Sequence, residues 1–380
     1  MSFGPSSIAG VALAALCLLG VRTGIGHGDT ASRSRSAPAV PSFRLEKLAD
    51  GVYAAIRTEG AGHIIDGNSV LIITDRDVIV VDANLTPASA RGVIAALRKL
   101  TSKPVRYVVN THFVDDHVLG NQAYAAAYPG VEFIAHPLTR DDMLDFATGP
   151  RTQFARELPG NVAFARKSMG EGKGFDGKPL TPRKREILVA DTLLANHFVA
   201  EFPRIRVTPP ALLVPDRMTI HRQGKTIDII YHGPAETEGD LSVFIREDGI
   251  LAAGDLVGWP IPYASPLTFV GSWADALRDV QKLGARVIVP GHGEVIRDTM
   301  PVVRLIGVLE DLRRQAEDAV KAGLTLDAFR ARLDVAEHRR GFTGGDPALD
   351  ELWSSYFLFM SAGRAFEEAS GKVTRRPETR

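Results

Sequence analysis

The sequence predicts an α/β fold, and three observations carry that expectation. Short runs of strand-type residues recur along the chain and are separated by helices with apolar stripes. Four polar motifs each follow one of those strands, the place where open sheets put ligands. The chain has 380 residues and is 45% hydrophobic, enough for a sizeable core.

The N-terminal region reads as an export signal followed by a tail. Residues 8–21, IAGVALAALCLLGV, form an apolar run short for a membrane span. A signal peptide over 1–28 is expected, with an uncleaved anchor as the alternative. The mature protein is expected to be periplasmic or secreted, with no membrane segment. The single cysteine, Cys17, falls inside this run, so a cleaved chain carries no disulfide. Residues 29–42 are rich in Ser, Ala, Pro and Arg and read as a disordered leader.

The globular part begins near Phe43. GVYAAIR (51–57), SVLIIT (69–74) and DVIVVD (77–82) read as strands, the last two forming a hairpin across TDRD. Thr86 and Pro87 mark a helix start, and Ala90, Val93, Ile94, Leu97 and Leu100 give that helix its apolar stripe. VRYVVN (105–110) and VEFIAH (131–136) return to strand. Residues 137–200 are charged and helical in pattern and read as an insertion or lid. The stretch GEGKGFDGKPLTP within them lacks the GxxxxGK[ST] spacing of a phosphate loop. Strands resume at 226–232, 241–247, 250–255 and 286–292. Ser272 and Asp275 read as a capping box opening a helix that runs to about Gly284. Residues 301–380 read as a C-terminal helical extension.

The four motifs are THFVDDH (111–117), GPAETEGD (233–240), AAGD (252–255) and PGHG (290–293). In order and local sequence they resemble the metallo-β-lactamase-fold hydrolases, whose pattern is T-H-x-H-x-D-H, then G-x-x-H-T-x-G-D, then an aspartate after a strand, then G-H-G. The resemblance spans residues 43–300 and implies an αββα sandwich with metals at one edge between two sheets. It casts Asp82 as a supporting residue. It implies one metal site from Asp116, His117 and His292, with Asp255 bridging. The other site keeps only His112, because Val114 and Glu236 stand where the family has histidines.

The consequence is asymmetric. Two imidazoles and two carboxylates form a reasonable zinc set. His112, Glu236 and a shared Asp255 form a poorer one, left empty or weakly filled and shifted toward manganese or iron. One firmly held zinc is expected. Asp116 and Glu236 are the carboxylates expected to act on protons during catalysis by a metal-bound water. Glu236 paired simply with His112 is the alternative.

The expected function is an exported metal-dependent hydrolase that attacks an ester, thioester or amide-like bond of a small-molecule substrate. An aspartate at 255 is closer to the glyoxalase II-like branch than to true β-lactamases. The loop LVGWPIPYASPLTF, with Trp259, Tyr263 and Phe269, is a candidate pocket wall. The alternatives are a disabled relative that binds a small molecule or partner, and a phosphodiesterase or nuclease. Lys+Arg and Asp+Glu are equal at 45 each, which disfavours a nucleic-acid partner. His232 is expected to support the Glu236 loop. His63, His136, His197, His221 and His338 are expected to be surface or satisfied core residues.

Overall fold

The computed structural model describes residues 42–58, 62, 66–146, 150–173 and 179–373. The expected signal peptide, the leader up to residue 41, His63 and residues 174–178 of the glycine-rich stretch lie outside the described residues. Among the described residues, no helix is long and apolar enough to cross a membrane.

Two sheets stack face to face. The first runs β1 (Phe43–Ala49), β2 (Val52–Arg57), β3 (Ser69–Ile73), β4 (Val78–Val81), β5 (Val105–Val109), β6 (Glu132–Ala135) and β7 (Leu212–Leu213), in that spatial order. The second holds β8 (Arg217–Arg222), β9 (Lys225–Tyr231), β10 (Leu241–Ile245), β11 (Ile250–Gly254) and β12 (Val287–Pro290), ordered β12-β11-β10-β9-β8. The β3–β4 hairpin is antiparallel, with Val70 opposite Val81. β4, β5 and β6 are parallel, as are β11 and β12.

Side chains alternate across a strand, so each sheet buries both faces. Ile56, Val70 and Ile79 of the first sheet meet Ile229, Val243 and Val289 of the second in one apolar layer. The other face of the first sheet packs Val80 and Val108 against Val93, Leu97 and Tyr124. These belong to α1 (Pro87–Leu100) and, after the short α2 (Asp115–Val118), to α3 (Asn121–Ala127). The result is the expected αββα sandwich.

Three helices follow β6: α4 (Pro137–Phe146), α5 (Pro150–Glu171) and α6 (Pro182–Glu201). Met143, Leu158 and Phe198 from them bury against Phe113, inside the THFVDDH motif, and Leu119, just beyond it. After β11 comes α7 (Val270–Lys282). After β12 come α8 (Met300–Lys321), α9 (Leu326–Arg332), α10 (Ala336–Thr343), α11 (Pro347–Leu352), a π-helical turn at 353–358, and α12 (Phe359–Ala369). Trp273, Leu309, Trp353 and Phe366 from this group share one cluster with Leu251 and Ile288 of the second sheet.

The helix α1 starts as expected, with the Thr86 side chain accepting from Ser89 N. The expected capping box of α7 is corrected. The helix begins at Val270, and its first residue has no side-chain cap from Phe269. The Glu368 carboxylate of α12 accepts from Val270 N (2.7 Å) and Gly271 N (2.9 Å) instead. A carboxylate from another helix thus meets the free N–H groups that a local cap would satisfy. Ser272 and Asp275 lie inside the helix, where Asp275 pairs with Arg278.

Candidate metal centre

Every predicted site residue lies at or just beyond the C-terminal end of a strand. Asp82 follows β4, the THFVDDH motif follows β5, Glu236 follows β9, Asp255 follows β11 and His292 follows β12. The four motifs therefore converge at one edge of the sandwich. His112, Asp116, His117, Glu236, Asp255 and His292 are all buried there.

Two close approaches of backbone build this edge. A Cβ on Gly291 would lie 1.8 Å from Asp255 Oδ1, so only glycine lets the PGHG loop pass beside that carboxylate. Gly254 has φ +53° and sits against Thr111, where a Cβ would come within 2.5 Å of the hydroxyl. Asn68, absent from the sequence expectations, donates from Nδ2 to the carbonyls of Pro290 (3.0 Å) and Gly293 (2.9 Å) and fixes the same loop.

His117 points its Nε2 into the cluster because Asp82 holds the other nitrogen. Asp82 Oδ2 lies 2.8 Å from His117 Nδ1 and also accepts from the Thr111 hydroxyl, while Oδ1 accepts from Thr111 N. Asp82 does this from a left-handed backbone, φ +61°, an uncommon conformation for a residue other than glycine. A carboxylate behind an imidazole fixes its orientation and raises its basicity.

Around His117 Nε2 the donor atoms are crowded. Asp116 Oδ2 is at 3.4 Å, Asp255 Oδ1 at 3.5 Å and His292 Nε2 at 3.4 Å. His292 Nε2 is 3.1 Å from Asp116 Oδ2 and 3.4 Å from Asp255 Oδ1. The opposite oxygen of Asp255, Oδ2, is 3.8 Å from His112 Nε2, and Glu236 Oε2 is also 3.8 Å from it. Asp255 thus stands between the two groups, one oxygen toward each. The six ligand candidates are brought together. Val114 is not among them: it is partly buried against the apolar cluster under the inserted helices.

The electrostatics match a pocket built for a cation. Burial opposes charge on Asp116, Asp255, His117 and His292 alike, yet opposite charges outweigh it. His117 and His292 hold Asp116 well below the carboxylate range and Asp255 at about 2. Asp116, Asp82 and Asp255 push His117 well above the usual imidazole range, and Asp255 and Asp116 lift His292 to about 9. His112 behaves oppositely: burial, then the neighbouring His117, lowers it to about 4. Glu236 is pushed well above its ordinary value by burial, then by Asp240 and Asp255. Burial lifts Asp240 to about 8.

Four buried atoms at this edge have no hydrogen-bond partner: His112 Nε2, Asp116 Oδ2, Glu236 Oε2 and Asp255 Oδ1. Buried polar atoms are normally satisfied, so orphans shared between two adjoining donor groups fit divalent metal as the missing partner. His112, His117 and Asp255 form one compact donor group, and Asp116, His117 and His292 another.

Further contacts shape the surroundings. The Tyr263 ring packs edge-on to His292 with centroids 5.1 Å apart, and Tyr356 of the C-terminal helices lies beyond it at 6.0 Å. Tyr263 was within the expected wall; Tyr356 carries no local signal, since 93 residues separate the two. His232 Nε2 meets the Ser242 hydroxyl at 2.9 Å, and the buried His136 stacks on Tyr231. His136 is thus a stacked core histidine, and the hydrogen bond of His232 goes to strand β10.

Comparison with known proteins places the chain. Residues 65–292 match the family model of the metallo-beta-lactamase superfamily. A linear primary-alkylsulfatase of Pseudomonas sp. (strain ATCC 19151) is 22% identical over 299 residues, covering 75% of this chain and 52% of that protein. An atrochrysone carboxyl ACP thioesterase of Aspergillus terreus (strain NIH 2624 / FGSC A1156) is 28% identical over 138 residues, covering 36% of this chain and 39% of that protein. The chain therefore spans about half or less of the length of these curated relatives. Similar solved structures include a metallo-beta-lactamase from Pontibacter korlensis, 16% identical with a TM-score of 0.48, covering 70% of this chain and 99% of that one. The DIM-1 metallo-beta-lactamase is 14% identical with a TM-score of 0.47, covering 72% and 99%. The family match supports hydrolase-type chemistry with a divalent metal, for which the two donor groups above are candidates. From the sandwich, the order of its motifs and the family match over more than half its length, this chain belongs to the metallo-β-lactamase superfamily.

Proposed function

We propose that the protein is an exported zinc-dependent hydrolase acting on an ester, thioester or amide-like bond of a small-molecule substrate. The observation that carries this reading is the convergence of Asp116, His117, Asp255 and His292, with Asp116 Oδ2 and Asp255 Oδ1 buried and without a hydrogen-bond partner. These four would hold the zinc. His112 and Glu236, sharing Asp255, would form the weaker second position, with manganese or iron as the better match for its oxygen-rich donors.

A bound divalent ion supplies a Lewis acid and an acidified water at neutral pH. The protein supplies the rest. Asp82 keeps the His117 imidazole turned toward the site. Glu236 at Oε2 would be the carboxylate that takes a proton during attack, since Asp116 Oδ2 faces the zinc position. Tyr263, seated against His292, forms a wall that orients the substrate and limits water.

The curated relatives are named for alkylsulfatase and ACP thioesterase activities. A test panel therefore combines carboxylic esters, acyl thioesters and lactams with a primary alkyl sulfate, each assayed with zinc and with manganese. Turnover of at least one ester-type substrate is expected, falling by about 10²-fold or more in Asp116→Ala. No turnover by the natural chain, but turnover by the Val114→His, Glu236→His double variant, would instead identify a disabled relative.

A further inference from the structure

We propose that Arg151, on the inserted helix α5, is a positioning residue for the metal site: it clamps Asp115 and thereby sets the turn that carries Asp116 and His117. This inference rests on the metal-site reading above. Arg151 Nε donates to Asp115 Oδ1 at 2.7 Å, and Nη2 donates to the same oxygen. The Arg151 side chain is 3% exposed, whereas that of Asp115 keeps 26%. A buried guanidinium loses little further freedom in gripping a carboxylate, unlike the long exposed chains of a surface ion pair.

The helix α2 needs such a grip. It has only four residues, and Val114 at its N-cap offers no side-chain hydrogen bond. A single uncapped turn has almost no stability of its own. Its far side is tied to the core by backbone groups. The His117 carbonyl accepts from Ala83 N (2.8 Å) and Asn110 Nδ2 (3.2 Å), and the Asp116 carbonyl from Gly67 N (3.3 Å). Its near side begins with Asp115, whose carboxylate is held by Arg151 among the described residues. Asp116 and His117 are therefore suspended between the sandwich and the insertion.

The charge of Arg151 makes the inference testable by sign. A cation close to a metal loop repels the metal, so its removal should tighten binding if electrostatics alone mattered. Loss of positioning predicts the reverse. Metal-free protein should be titrated with cobalt(II) against a competing chelator, following the visible ligand-field bands. Arg151→Met is expected to weaken cobalt affinity by roughly 10–100-fold and alter the band pattern, the range typical for groups that orient metal ligands. Arg151→Lys keeps the charge but loses the fork, and an intermediate loss is expected.

Arg91→Met is the control. It breaks the 3.1 Å ion pair of Arg91 with Glu201, another tie between the sandwich and the insertion that does not touch the metal loop. Its cobalt affinity should match the natural chain. Unchanged or tighter binding in Arg151→Met overturns the positioning role. If that variant fails to fold, wild-type affinity in Arg151→Lys overturns it equally. A natural chain that binds no cobalt at all overturns the metal-site reading and this role with it.

Discussion

Glu236 Oε2 faces His112 Nε2 at 3.8 Å, within ion-pair range but beyond a hydrogen bond, and neither atom has a hydrogen-bond partner. The two side chains thus share no hydrogen bond, and their contact is a long ion pair. They remain open toward a common point, with Asp255 Oδ2 also 3.8 Å from His112. What this position lacks, on the proposed reading, is the imidazole pair that Val114 and Glu236 stand in for. Restoring it with Val114→His and Glu236→His should raise zinc content from about one to about two per chain. The metal-free double variant should be less stable, because Val114 packs against an apolar cluster and an imidazole there is partly desolvated. Metal analysis and thermal melts with and without zinc check both halves.

Gly291 sits directly against Asp255, one of the proposed zinc ligands. Its backbone is pinned from both sides, Gly291 N donating to Gly254 O and its carbonyl accepting from Asn68 N, each at 2.8 Å. A methyl group at that position collides with Asp255 Oδ1, so the carboxylate must turn away. Gly291→Ala should fold but lose about tenfold or more in zinc affinity, read by chelator competition.

Glu368 makes a prediction about stability that leaves the site alone. It accepts from two N–H groups at the start of α7, and burial raises its pKa. Glu368→Ala should cost about 1–2 kcal/mol in urea unfolding, the scale of a lost N-cap, with zinc content unchanged.

That cap also shows what was legible in the sequence. The strands ending in motifs and the Thr86 helix start were readable, because each depends on neighbours a few positions away. The donor residues needed the family pattern, since no spacing rule joins His112 to His292. Glu368 lies 98 positions from Val270, and Arg151 lies 36 from Asp115. Neither partner leaves a mark on the other's local sequence. The edge strands β1 and β8 were also unmarked, because FRLEKLA and RMTIHR mix exposed charges with apolar residues and show no clean alternation.

Acid stability should report the buried histidines away from the site. Burial lowers His136 to about 4, below the ordinary unfolded value of about 6.5. The unfolded chain therefore binds more protons between those values. Stability from this residue is full above about 6.5 and is lost progressively as pH falls toward about 4. His136→Phe keeps a ring on Tyr231 and removes the titration. Its unfolding midpoint should drop less between pH 7 and pH 5 than that of the natural chain; an equal drop would contradict this assignment. His232, also lowered to about 4 by burial, leaves a residual slope in both.

The most direct measurement is the metal content of protein purified without added metal, from the natural chain and from Asp116→Ala. The asymmetric site predicts about one tightly held zinc per chain in the first and a marked loss in the second. About two tightly held zincs in the natural chain, or an undiminished content in Asp116→Ala, would contradict it.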